Sequence, residues 1–179
     1  MSRRSIALLA AAAIVALGAA GAVRAHWTGG DHPSFLNTWY TGGSIPSDWS
    51  DALVNGVLVW DNVTSQCHDF QRVTGSGHIL HMRSAVDGKG GTYAWTTDEH
   101  NRVTYDAGEA WHLNINVYPG SSSVDLWSTA AHENGHVLHL VHSGYTDDTM
   151  YPYWNYGDYY PRTLTANDQY RERNIYPGC

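Results

Sequence analysis

His132, Glu133, His136 and His142 are the residues of this sequence whose types and spacing most directly imply chemistry. On a helix, positions 132 and 136 lie on one face about 6 Å apart along the axis, so both imidazoles can reach one tetrahedral zinc ion. Glu133 is then left beside an open coordination position. There it can take a proton from a metal-activated water and later pass it to a leaving amine. His139 shares the helical face but lies about 10 Å beyond His132, too far to close the same shell. If the helix stops near His139 and the chain turns back, His142 approaches the metal from a third direction and leaves the fourth position to water. Glu172, the only glutamate after the motif, is the competing third ligand. The chain has 11 histidines and 4 glutamates among 179 residues. At that composition, chance would produce the spacing in about one such chain in a thousand.

These side chains need a scaffold, and the flanking sequence indicates one. Leu126, Trp127, Ala130 and Ala131 precede the motif, so its helix is embedded and not a solvated histidine tract. Ser121, Ser122 and Ser123 offer N-caps for that helix, which would also carry Val124. A first helix opens at Pro46 and Ser47. Trp49, Ala52, Leu53, Gly56, Val57 and Trp60 then recur at three-and-four spacing toward Val63. Thr165 caps a last helix that runs to about Arg173. Strand character marks residues 34–41, 70–74, 79–83, 92–96, 103–105 and 113–117, separated by Gly, Asp and Asn. The expected fold is α+β, a twisted mixed sheet with a zinc-binding helix and two further helices, in one domain from His26 to Cys179.

Composition agrees with a folded domain: 42% of residues are hydrophobic, 15% are charged, and 8 Trp and 12 Tyr supply large rings to bury. Residues 1–25 have the pattern of a signal peptide. Arg3 and Arg4 precede an apolar run from Ile6 to Val23, and Val23-Arg24-Ala25 is a small-x-small cleavage site before His26. An uncleaved anchor is the alternative, since the run is at the lower edge of a membrane span. Removing the segment takes 3 of the 10 basic residues and no acid, leaving 7 against 17 and a net charge of −10. That sign argues against nucleic acid or an anionic membrane as partner. The expectation is a secreted, extracellular monomer with no stable membrane association after cleavage. In that compartment Cys67 and Cys179 can pair, closing a loop worth about 4 kcal/mol in the chain-entropy description.

The run from His132 to His142, followed by Met150-Tyr151-Pro152, resembles the metzincin clan of zinc endopeptidases and specifically the matrixin family. Residues Asp125 to Ala131 are similar to the family's approach to its zinc helix, and Leu164-Thr165-Ala166-Asn167-Asp168 through Ile175-Tyr176 to its closing helix. The resemblance implies that Met150 forms a hydrophobic Met-turn beneath the zinc. Pro152, Tyr153 and Trp154 would wall the pocket for the residue after the scissile bond. The substrate would extend along the edge strand at Thr92, Tyr93 and Ala94. Asp87-Gly88-Lys89-Gly90-Gly91-Thr92 and the segment Asp106 to Trp111 resemble the family's calcium loop. Asp87, Asp106 and Glu109 would give carboxylates to a structural Ca²⁺, and Gly88, Gly90 and Thr92 carbonyls. The family's second, structural zinc is not expected, because Trp95 and Thr104 stand where two of its histidines would be. His139 occupies the family's glycine at the sharp turn. No propeptide with an inhibitory cysteine is seen between His26 and the first strand.

The function implied is a secreted zinc-dependent endopeptidase acting on protein or peptide, with Glu133 as general base and acid. Two alternatives remain: a secreted zinc-binding interaction module without turnover, and a zinc hydrolase that acts on a different bond or uses Glu172 as ligand. Glu133 argues against the module, because holding zinc does not require that acid.

Overall fold

Side-chain periodicity in the segment from Pro46 builds the first layer. A 3-10 turn at Ser47–Trp49 leads into helix α1, Ser50–Asp61, whose Ala52, Leu53, Gly56, Val57 and Trp60 are all buried. The computed structural model describes residues 36–61, 68–84, 91–97 and 99–176. Strands β1 (Leu36–Thr41), β2 (Asp69–Arg72), β3 (Ile79–Ser84), β4 (Ala94–Thr96) and β5 (Arg102–Asp106) form one sheet in the order β2-β1-β3-β5-β4. β4 pairs antiparallel with β5, and the other three pairings are parallel, so the sheet is mixed and β4 is an edge. Two short strands, β6 (Trp111–His112) and β7 (Val124–Asp125), pair separately. Helix α2 spans Leu126–Val137 and α3 spans Ala166–Ile175. This is the expected α+β architecture. Among the described residues, no helix is long and apolar enough to cross a membrane.

The core lies between sheet and helices, where Trp39, Trp49, Trp60, Phe70, Tyr105 and Leu126 are at most 3% exposed. α1 and α2 meet closely at Gly56. A Cβ there would collide with the Ala130 side chain and sit 2.7 Å from the Trp127 carbonyl oxygen. One turn on, Trp60 Nε1 donates to the Ala131 carbonyl at 2.8 Å, pinning the backbone just before His132.

Two local expectations are corrected. The cap of α2 is Asp125, whose carboxylate accepts from Ser128 N at 3.1 Å; Ser121–Ser123 form a turn, and Val124 belongs to β7. Residues 113–117 are not a strand. The guanidinium of Arg162 takes the carbonyls of Asn114, Ile115 and Val117 at 3.1, 3.2 and 3.1 Å, so the segment wraps a cation instead of joining a ladder. The helix at the C-terminal end is as expected, capped by Thr165 with Asp168 completing a reciprocal capping box.

Candidate active site

Helix α2 carries His132 and His136 on successive turns, then ends in a reversal. His139 N donates to the His136 carbonyl at 2.9 Å and Leu140 N to that of Gly135 at 3.0 Å. His139 makes the turn at φ 62°, a left-handed conformation that costs a non-glycine residue about 1 kcal/mol. Its ring packs 3.9 Å from that of His100, whose Nδ1 bonds the His136 carbonyl. The reversal returns His142 to the motif. His136 Nε2 is 3.0 Å from His132 Nε2 and 3.2 Å from His142 Nε2.

The donor chemistry of this cluster is that of a cation site. His132 Nδ1 faces the Thr149 carbonyl and His136 Nδ1 the Leu140 carbonyl, both at 2.7 Å. A carbonyl only accepts, so each Nδ1 carries the proton and each Nε2 presents a lone pair. Burial drives His136 down to about 3, His132 well below its ordinary value, and His142 downward, so the rings stay neutral. Bare lone pairs 3.0 Å apart repel unless a cation lies between them. Tetrahedral zinc with Zn–N of about 2.0–2.1 Å would separate its nitrogens by about 3.3 Å, close to what is found. Among the described residues these three histidines are the one group of metal-ligand type. Glu172 is elsewhere, with Oε1 2.8 Å from His68 Nε2 in a buried pair.

Glu133, the residue after His132, is fully buried. Thr96 Oγ1 donates to its Oε2 at 2.6 Å, while Oε1 has no hydrogen-bond partner among the described residues. Burial pushes the Glu133 carboxyl up to about 8 against the opposing Thr96 bond, and a cation on the imidazoles would pull it back down.

Met150 is fully buried beneath α2. A Cβ on Gly135 would collide with its sulfur and lie 2.8 Å from Trp60 Cζ2, so this glycine lets the helix settle onto its floor. The Thr149–Met150 turn is held from α3: Asp168 accepts from Thr149 N at 2.9 Å and Met150 N at 3.3 Å. Arg171, also on α3, donates to the carbonyls of Val141 and His142 at 2.6 and 3.2 Å. Trp154 is 2% exposed and packs its ring edge-on against His132, centroids 4.9 Å apart at an interplanar angle of 61°. Pro152 is half-buried and Tyr153 exposed. Thr92 and Tyr93 lead into β4, where Ala94 pairs with Tyr105; the Tyr93 ring packs on Trp154 and Tyr156.

Away from the histidines, Asp106 Oδ1 accepts from Gly108 N and Glu109 Oε2 from the Tyr156 hydroxyl, each at 2.8 Å. Asp87, Gly88 and Gly90 lie outside the described residues, as do Cys67 and Cys179 and the whole of residues 1–35. Trp95 and Thr104 are cross-strand partners on β4 and β5. Sequence reasoning missed Thr96, Arg162, Arg171 and the reach of Asp168. Only the last left a signal, since Thr165-x-x-Asp168 reads as a cap.

With this geometry in place, the matrixin family profile matches residues 52–177. The chain therefore belongs to the matrixins. It is 32% identical to human matrix metalloproteinase-26 over 146 residues, which cover 73% of this chain and 52% of that protein. It is 43% identical to metalloendoproteinase 4-MMP of Arabidopsis thaliana over 67 residues, 37% of this chain and 20% of that one. With stromelysin-3 of Xenopus laevis it shares 34% identity over 94 residues, 50% and 18% of the two chains. The chain thus spans about half the length of the first of these relatives and a fifth or less of the others.

Proposed function

We propose that this protein is a zinc-dependent endopeptidase, with His132, His136 and His142 as metal ligands and Glu133 as general base and acid. The observation that carries the reading is the meeting of the His132, His136 and His142 imidazole nitrogens, with the buried carboxylate of the adjoining residue Glu133 keeping one oxygen without a hydrogen-bond partner among the described residues. Zinc, when bound, supplies Lewis acidity that polarises a carbonyl and acidifies water. The chain's residues do the rest. Glu133 Oε1 takes the proton of the attacking water and returns it to the departing amine nitrogen. The Thr149 and Leu140 carbonyls keep the imidazoles in the ligating tautomer. The edge strand β4 and the two residues leading into it would present an extended peptide with the segment Thr92, Tyr93 and Ala94. Pro152, Tyr153 and Trp154 line the side of the site beyond His132, and Met150 is its floor.

Secretion after cleavage of residues 1–25, a Cys67–Cys179 bridge and a structural calcium at Asp87, Asp106 and Glu109 complete the proposal. It rests on composition and family resemblance for these parts. The test is zinc content and digestion of a broad peptide library. One zinc per chain, lost in His142→Ala and kept in Glu172→Ala, with cleavage stopped by a chelator and restored by zinc, is the expected result. Zinc lost with Glu172→Ala instead would reassign the third ligand. A zinc-loaded protein that cleaves nothing would favour a binding module.

A further inference from the structure

Thr96 ends the edge strand β4 and is 6% exposed, with its side chain turned inward onto α2. Its hydroxyl has a single proton. The Glu133 carboxylate takes it at 2.6 Å, in the range of a charge-assisted O–H···O bond, while the Glu133 backbone oxygen lies farther off at 3.1 Å. A glutamate has three side-chain torsions to fix, and one strong bond to Oε2 fixes the last of them. The other oxygen, Oε1, is buried and has no hydrogen-bond partner among the described residues. The carboxylate is therefore divided into an anchored oxygen and an available one.

We infer that Thr96 is the positioning residue of the general base: its hydroxyl holds Glu133 Oε2 so that Oε1 faces the attacking water. This rests on the peptidase reading above. The base would then be anchored to the strand along which the substrate is read, so that the proton acceptor and the scissile bond share one rigid element. Nothing local in the sequence announces the contact, because positions 96 and 133 are 37 residues apart.

The test compares Thr96→Val, which keeps the shape and removes the O–H, with Thr96→Ser, which keeps the O–H. Thr96→Val should retain one zinc and the same affinity in chelator competition, keep KM within about twofold, and lose about tenfold to a hundredfold in kcat. Thr96→Ser should recover kcat to within about threefold of the unsubstituted protein. The thermal midpoint gives an independent readout. The shift caused by Thr96→Val should shrink to less than half when Glu133 is already alanine, since the bond then has no acceptor. An unchanged kcat in Thr96→Val, a loss that serine does not restore, a loss that tracks zinc or KM, or thermal shifts that simply add would overturn the role of Thr96. Absence of cleavage by the unsubstituted protein would instead overturn the peptidase reading itself.

Discussion

Replacing Arg162 by methionine should uncouple the start of α2 from the rest of the domain. Arg162 is 7% exposed and Asp125 1%. The guanidinium donates to both carboxylate oxygens at 2.8 and 2.7 Å, and the same carboxylate caps α2 through Ser128. Methionine keeps the buried stem and removes the charge. The carboxylate is left with its two Ser128 bonds but no counter-charge, a loss of about 3–5 kcal/mol for a buried pair broken on one side. For a domain of this size each kcal/mol moves the thermal midpoint by about 2–4 °C, so a fall of about 10 °C is expected. Adding Asp125→Asn removes the stranded charge while keeping a good cap, and should recover more than half of that loss. The assay is thermal unfolding of the zinc-loaded protein in all four combinations. A midpoint within 2 °C of the unsubstituted protein for Arg162→Met, or a double variant that loses the sum of the singles, would refute the argument.

Gly135→Ala should lift α2 off Met150 and Trp60, and overpacking of about 1–3 kcal/mol should outweigh the better helix propensity of alanine in a denaturant titration. Arg171→Ala frees the carbonyls that hold His142 in place, so zinc affinity in chelator competition should fall about tenfold. Asp148 gives a pH dependence. Burial alone would raise its carboxyl, but hydrogen bonds from Ser143, Thr165 and Asn167 prevail and hold it below its ordinary 3.8. A depressed carboxyl adds stability above pH 3.8 that is lost as the pH falls through the folded value. Asp148→Asn should therefore flatten the acid limb of the midpoint-against-pH curve while leaving its slope near neutrality unchanged.

The sequence revealed those parts of the site that depend on short-range geometry. His132, Glu133 and His136 lie within one turn of a helix, and periodicity alone puts two imidazoles on one face. His142 followed from a chain reversal that His139 does make, at a positive φ. Its rival Glu172 could be weighed against it only by knowing that α3 turns that carboxylate toward His68. The α+β class and the helix from Pro46 were legible for the same reason: each buries one face at a regular period. Residues 113–117 alternate well enough to suggest a strand. The cation that captures their carbonyls is Arg162, more than 40 positions later, and no local pattern reports it. Sequence alone puts the α2 cap a few residues early because serines and aspartate are all good caps. The choice fell to Asp125 through its long-range pair with Arg162.

If the buried Glu133 carboxylate turns a three-histidine metal site into a peptidase, zinc content and peptide cleavage of the chain from His26, side by side with Glu133→Ala, will show it. Both proteins should hold about one zinc, with cleavage falling by at least about a hundredfold in the variant. Equal cleavage by the two, or zinc bound by both with no cleavage by either, would contradict it.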